Sequence, residues 1–173
     1  MRESINRFSF CKRNKIPAFA GMTTEGNMAF FLLKTEPTVY SYSDLERDKK
    51  TVWDGVTSPW ALPVIKSIKK GDAVFVYHTG DEKQIMGIAE VVSDPYPDPK
   101  SASGRLFVFE IKPKRKLKRP VTLAEVKADK RFAESALVNN PRLSVQPVPD
   151  KMWNAILELS GLERGTVFSK NGK

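Results

Sequence analysis

The chain has 173 residues, of which 40% are hydrophobic and 28% charged, with one Cys and one His. That is one ordinary domain with room for tails. No run approaches the ~18 apolar residues of a membrane-spanning helix, and the residues for a Cys/His zinc site, a disulfide framework or a multi-His centre are lacking.

Lys and Arg number 29 against 20 Asp and Glu, so the formal charge is +9. That excess favours polyanionic partners and says nothing about fold. Residues 1–27 stand apart from the rest. They carry Arg2, Arg7, Lys12, Arg13 and Lys15 against Glu3 and Glu25, hence +3 of the +9. Phe8, Phe10 and Cys11 are too broken by polar residues to form the apolar core of about 7–15 residues that a signal peptide needs. The segment reads as a disordered or non-native extension, with a transit peptide as the alternative and patterned sequence starting at Met28. A cysteine-free body suits a reducing, cytoplasmic setting.

In chain order, Phe30 to Lys34 reads as a strand that Thr35-Glu36-Pro37 closes. Ser43 to Glu46 has capping-box spacing and should open a short helix. Trp60 to Ile68 carries Leu62, Ile65 and Ile68 at helical spacing. Gly71-Asp72 is a turn between that helix and a strand over Ala73 to Thr79. Gln84 to Val92 is a further strand, with Gly87 inside it where a backbone should approach closely. Asp94 to Pro99 reads as a stiff loop, and Arg105 to Ile111 as an alternating strand. Thr122 to Glu125 is a second capping box. A turn at Asn139 to Pro141 precedes Arg142 to Val145, and a last helix runs from Asp150 to Gly161. Without a βαβ repeat this is α+β with a curled or barrel-like sheet. Without GxGxxG or a P-loop, no nucleotide cofactor is implied, and none of another kind is expected.

Four stretches in register are more specific: Phe31 to Pro37; Trp53-Asp54-Gly55-Val56; Gly71-Asp72 with Val76 to Thr79 and Gly87 to Val92; and Arg142 to Pro147. In this order and spacing they resemble the EVE domain family of PUA-like folds. The resemblance covers about Ala29 to Leu162. It implies a mixed β pseudo-barrel flanked by short helices, over 28–163, with a basic tail over 164–173. It also implies a pocket for a nucleobase. Members of the family are regarded as readers of modified bases, notably modified cytosine in DNA, and the related YTH domains read methylated adenine in RNA. Two departures lie near the expected pocket: Phe31 where relatives often carry Trp, and Thr57-Ser58-Pro59-Trp60 where they carry an Arg-Asn-Tyr-like stretch.

Each candidate residue has two readings. Trp53 is a stacking wall for an extruded base, with base-on-aromatic stacking worth ~1–3 kcal/mol, or an indole capping the core. Trp60 and Phe31 could complete an aromatic sandwich or pack. Asp54 could accept from an exocyclic amine or cap a turn. Gly55 allows a close approach or a positive φ. The resemblance puts Val56 and Thr57 beside them. Lys34, with Thr35 and Glu36, is a pocket wall or a solvated strand end. Ser43 is a helix cap first and a ligand contact second. His78 shares a face with Val74 and Val76, so a satisfied core histidine competes with a ligand contact at His78-Thr79. Arg142 and Ser144 line the pocket or serve structure. Lys112, Lys114, Arg115, Lys116, Lys118 and Arg119 form a solvated strand end or a ridge that tracks phosphates.

The expected function is therefore a monomeric, non-catalytic module that binds nucleic acid carrying a modified base, with no membrane partner. The alternatives are an enzyme or binder of a nucleotide-like ligand, with His78 as its base, and an RNA reader.

Overall fold

The computed structural model describes residues 28–168. The extension expected over 1–27 lies outside them. Strands β1 (Phe30–Thr35), β2 (Thr51–Trp53), β3 (Ala73–His78), β4 (Gln84–Val91), β5 (Tyr96–Pro97), β6 (Phe107–Thr122) and β7 (Val145–Pro147) make one mixed sheet. Its order is β2-β6-β4-β3-β1-β7, with β5 against the start of β6. Among the described residues only β1 and β3 run parallel. Parallel neighbours need a long crossover, and residues 36–72 supply it with helix α1 (Tyr42–Asp48), β2 and helix α2 (Leu62–Ser67). Helices α3 (Leu123–Ala128), α4 (Ala136–Asn139), α5 (Asp150–Leu159) and α6 (Arg164–Phe168) follow β6. The result is a curled, mixed half-barrel with a few short helices, as the α+β reading anticipated.

The centre of the sheet, β1 and β3, is buried on both faces. β1 shows this in its alternation: Phe30 and Leu32 join a core under α5, while Phe31 and Leu33 join a second core under α1 and α2. A strand covered on both sides reads as one continuous apolar run, which is what Phe30 to Leu33 displays. In the α5 core the Trp153 ring stacks on Phe30 (4.3 Å, 20°) and on Phe75 (3.8 Å, 26°). In the other core Gly87 makes room for Tyr42. A Cβ there would meet the Tyr42 ring at 2.2 Å, and the Tyr42 hydroxyl donates to the Ile88 carbonyl at 2.9 Å.

Four local expectations are corrected. The first capping box uses Ser41 and Asp44, and Ser43 is the second residue of α1. Starting at Ser41 turns Tyr42 and Leu45 together onto the sheet, burial that a start at Ser43 would forfeit. The loop over Asp94 to Pro99 contains β5. The basic run is the middle of β6 rather than a strand end. β4 partners step from Arg115 to Pro113, so Lys114 is an extra residue, a bulge. One extra residue exchanges the faces: Phe109 and Ile111 enter one core, Leu117 and Val121 the other. Finally, the tail begins as α6, with Val167 buried and the Arg164 guanidinium 5.3 Å from the centroid of the Phe30 ring.

Candidate functional site

A cavity of about 540 Å³ opens where β1 leaves the sheet, within the ~300–1,000 Å³ usual for ligand pockets. Lys34, Thr35 and Glu36 form one wall; β2 and its following loop, Thr51 to Ser58, form the other; Val39, Tyr40 and Ser144 close the ends. Backbone geometry fixes these walls. The Lys34 N–H donates to the Ser144 carbonyl at 2.9 Å, extending the β1–β7 ladder. The Thr35 hydroxyl donates to the Tyr40 carbonyl at 2.7 Å, and the Val39 and Tyr40 N–H groups both donate to the Glu36 carbonyl. β2 hangs on β6, pairing Trp53 with Phe109. Gly55, at φ 75°, then turns the chain around the cavity mouth.

The walls mix one indole with one unusual cation. Trp53 is 8% exposed and packs within the α1/α2 core, so its remaining surface is a side of the cavity. Lys34 is half-buried, and that burial pushes its amine down to about 8. Its Nζ donates to the Pro141 carbonyl at 2.7 Å and lies 5.9 Å from the Tyr77 ring centroid. Two of its three donor hydrogens remain for other acceptors. Glu36 accepts from the Thr79 hydroxyl at 2.8 Å. Asp54 pairs with Lys100 at 2.8 Å.

Of the residues singled out in the sequence, the cavity gathers Lys34, Thr35, Trp53, Asp54, Gly55, Val56, Thr57 and Ser144, together with Glu36. The others lie elsewhere. Phe31 is core and Ser43 is exposed on α1. Trp60 stands in solvent just before α2, and Arg142 is exposed in the turn before β7. Thr79 sits behind the wall, holding Glu36. Val39, Tyr40, Thr51, Val52 and Ser58 were missed. Three residues of β2 are too few to show a period, and Tyr40 arrives through the turn after β1.

His78 is also outside the cavity. It is 3% exposed; its Nε2 accepts the Tyr42 N–H at 2.9 Å, and its Nδ1 lies 2.6 Å from a Glu82 carboxylate oxygen. An Nε2 that accepts leaves the proton on Nδ1, which donates to Glu82. That bond holds the Glu82 carboxyl below its ordinary range. Both ring nitrogens are thus occupied by the start of α1 and the loop after β3. His78→Ala should lower stability by about 1–3 kcal/mol, the cost of an orphaned buried N–H. It should leave ligand affinity of the folded protein unchanged, as paired denaturation and binding curves would show.

The basic run is only partly available. Lys112 and Lys114 both face Glu90, at 3.7 and 3.1 Å. Arg119 pairs with Glu125 and donates to the Leu159 carbonyl. Lys116 and Lys118 are exposed and have no ion-pair partner among the described residues. Among those residues, too, no group of three or more His, Cys, Asp or Glu is placed to hold a metal ion.

Comparison with known proteins fits this geometry. Residues 29–159 match the EVE domain. An uncharacterised protein of Schizosaccharomyces pombe is 34% identical over 133 residues; the match takes in 66% of this chain but only 56% of that relative. A Rhodopseudomonas palustris protein solved by NMR is 40% identical, with a TM-score of 0.74 over 78% of this chain and 94% of its own. Human thymocyte nuclear protein 1, solved in complex with 5-methylcytosine-containing DNA, is 25% identical. It superposes with a TM-score of 0.72 over 79% of this chain and 99% of its own.

Proposed function

This chain belongs to the EVE domain family, and on that premise we propose that it is a nucleic-acid-binding module that captures a modified base, a modified cytosine in DNA, beside Trp53. One observation carries the reading: a 540 Å³ cavity that puts an indole and a half-buried lysine around the same hollow. The DNA complex of the human relative supports the choice of ligand.

A planar base entering this cavity meets apolar surface from Trp53 and Val56 and polar groups at its edge. Protonated Lys34 donates to a ring carbonyl. Asp54 accepts from an exocyclic amine, as carboxylates do from cytosine. The hydroxyls of Thr57 and Ser144 rotate to suit either need, and that of Thr35, which donates to the Tyr40 carbonyl, can accept. Extruding a base costs a few kcal/mol, least from a damaged or single-stranded site. Stacking at ~1–3 kcal/mol, net hydrogen bonds of ~1 kcal/mol each, and phosphate contacts from Lys116 and Lys118 offset it. A single buried methyl adds only ~0.8 kcal/mol, so 5-methylcytosine should be preferred over cytosine by about fourfold. With both His78 nitrogens engaged, the module binds without turnover; we place it as a monomer in the cytoplasm.

Titration with DNA and RNA oligonucleotides carrying plain or modified bases tests this. The expected result is a preference for a modified base plus an affinity that falls steeply with salt. Equal affinity for every base would sink the reading, and a preference confined to RNA would move it to an RNA reader. Lys34 adds a pH signature. Binding should weaken as pH rises through about 8, and Lys34→Met should flatten that profile. Stability runs the other way. Lysine's ordinary value of 10.5 lies above the folded value, so the unfolded chain holds the extra proton between them. The contribution of Lys34 to stability therefore rises with pH across that window.

A further inference from the structure

We infer that Trp60 is a second stacking surface, outside the cavity, for the base next to the one the cavity holds. The inference rests on the base-capture reading and extends it along the strand. Trp60 is 80% exposed, whereas Trp53 and Trp153 are 8% and 0% exposed. It projects from a tight turn, Ser58 to Ala61, closed by the Ala61 N–H on the Ser58 carbonyl at 3.1 Å. Ser58 itself lines the cavity. The helix that follows does not need the indole. Ala61, Val64, Ile65 and Ile68 supply its buried face.

Exposed apolar bulk is concentrated at this mouth. Among the described residues the large exposed hydrophobics are Met28, Val39, Val52 and Trp60. Val39 and Val52 line the cavity, and Trp60 stands two residues from Ser58. The charge around them selects the occupant. Lys34 borders the cavity, and Lys50 and Lys100 border a second, open hollow of about 430 Å³ beyond Asp54; their amines pair with Glu110 at 2.7 Å and Asp54 at 2.8 Å, which leaves each with donors for a phosphate. A flat apolar ring beside lysines, on a chain of charge +9, suits a strand whose phosphates take the lysines and whose base lies on the indole. Such stacking tolerates any base, because every base has a π-face.

The test uses the full chain and short single-stranded DNA, with and without 5-methylcytosine, alongside 5-methylcytidine monophosphate. Trp60→Ala should weaken both oligonucleotides about 5- to 100-fold and leave the mononucleotide unchanged. An oligonucleotide with abasic flanks should be insensitive to the substitution. Tryptophan emission should quench on binding plain DNA in the wild type and lose the Trp60 part of that quench in Trp60→Phe. The proposal is overturned if Trp60→Ala binds oligonucleotides as the wild type does, or loses mononucleotide affinity equally. It is also overturned if the substitution dissociates a dimer, since the indole then serves a second copy. Equal affinity for plain and methylated strands, with the Trp60 quench intact, would instead count against base capture in the cavity.

Discussion

Trp53→Ala is expected to weaken binding of the preferred modified oligonucleotide about 5- to 100-fold, the loss of one base-on-indole contact of ~1–3 kcal/mol. The indole is both cavity wall and core. It packs with Phe31, Leu33, Val56 and Phe109, so truncation also lowers stability, by about 3–5 kcal/mol for a large buried aromatic. Affinity must therefore be referred to the folded fraction, and Trp53→Phe serves as the companion. It keeps the core largely filled, offers a smaller ring, and should weaken binding only a few-fold. Unmodified DNA, which differs by one methyl in the cavity, should lose nearly as much affinity in each variant, and the binding that remains should rest on phosphate contacts and fall more steeply with salt. A folded Trp53→Ala protein with wild-type affinity for the modified oligonucleotide removes the indole from the mechanism.

The cavity was legible where its walls are local in sequence. Lys34-Thr35-Glu36 ends an apolar run and Trp53-Asp54-Gly55 interrupts patterned sequence, and the family resemblance is what marks both as pocket walls. Their meeting depends on β2 hanging on β6, and a three-residue strand leaves no period to read. The same limit hid Thr51 and Val52. His78 was placed correctly on the face of Val74 and Val76. Sequence could not say whether that face ends at a cavity or, as it does, at the Tyr42 N–H. In β6, alternation reads cleanly to Ile111 and then fails. The bulge at Lys114 exchanges the faces while the charges continue, so half a strand looked like a solvated ridge. Trp60 marks a different limit. Residues at a helix's edge carry the spacing of its buried face without sharing it, and only the packed structure separates Ile65 from Trp60.

A large loss of stability, with no loss of affinity beside it, should follow Trp153→Ala. Trp153 is fully buried and stacks on Phe30 from β1 and Phe75 from β3, tying α5 to the central parallel pair. Truncation leaves a cavity between α5 and two strands whose backbones are fixed by ladders on either side, so collapse around the gap is restricted. The cost should reach the ~3–5 kcal/mol seen for large aromatics, a major part of the ~5–15 kcal/mol that holds a domain folded. A urea titration would read it as a lower midpoint with an unchanged slope. Trp153 lies in the α5 core and Trp53 in the other, so the folded fraction of Trp153→Ala should bind modified DNA as the wild type does. A matching loss of affinity per folded molecule would mean that β1, which carries Phe30 into one core and Lys34 into the cavity, transmits the repacking from one face of the sheet to the other.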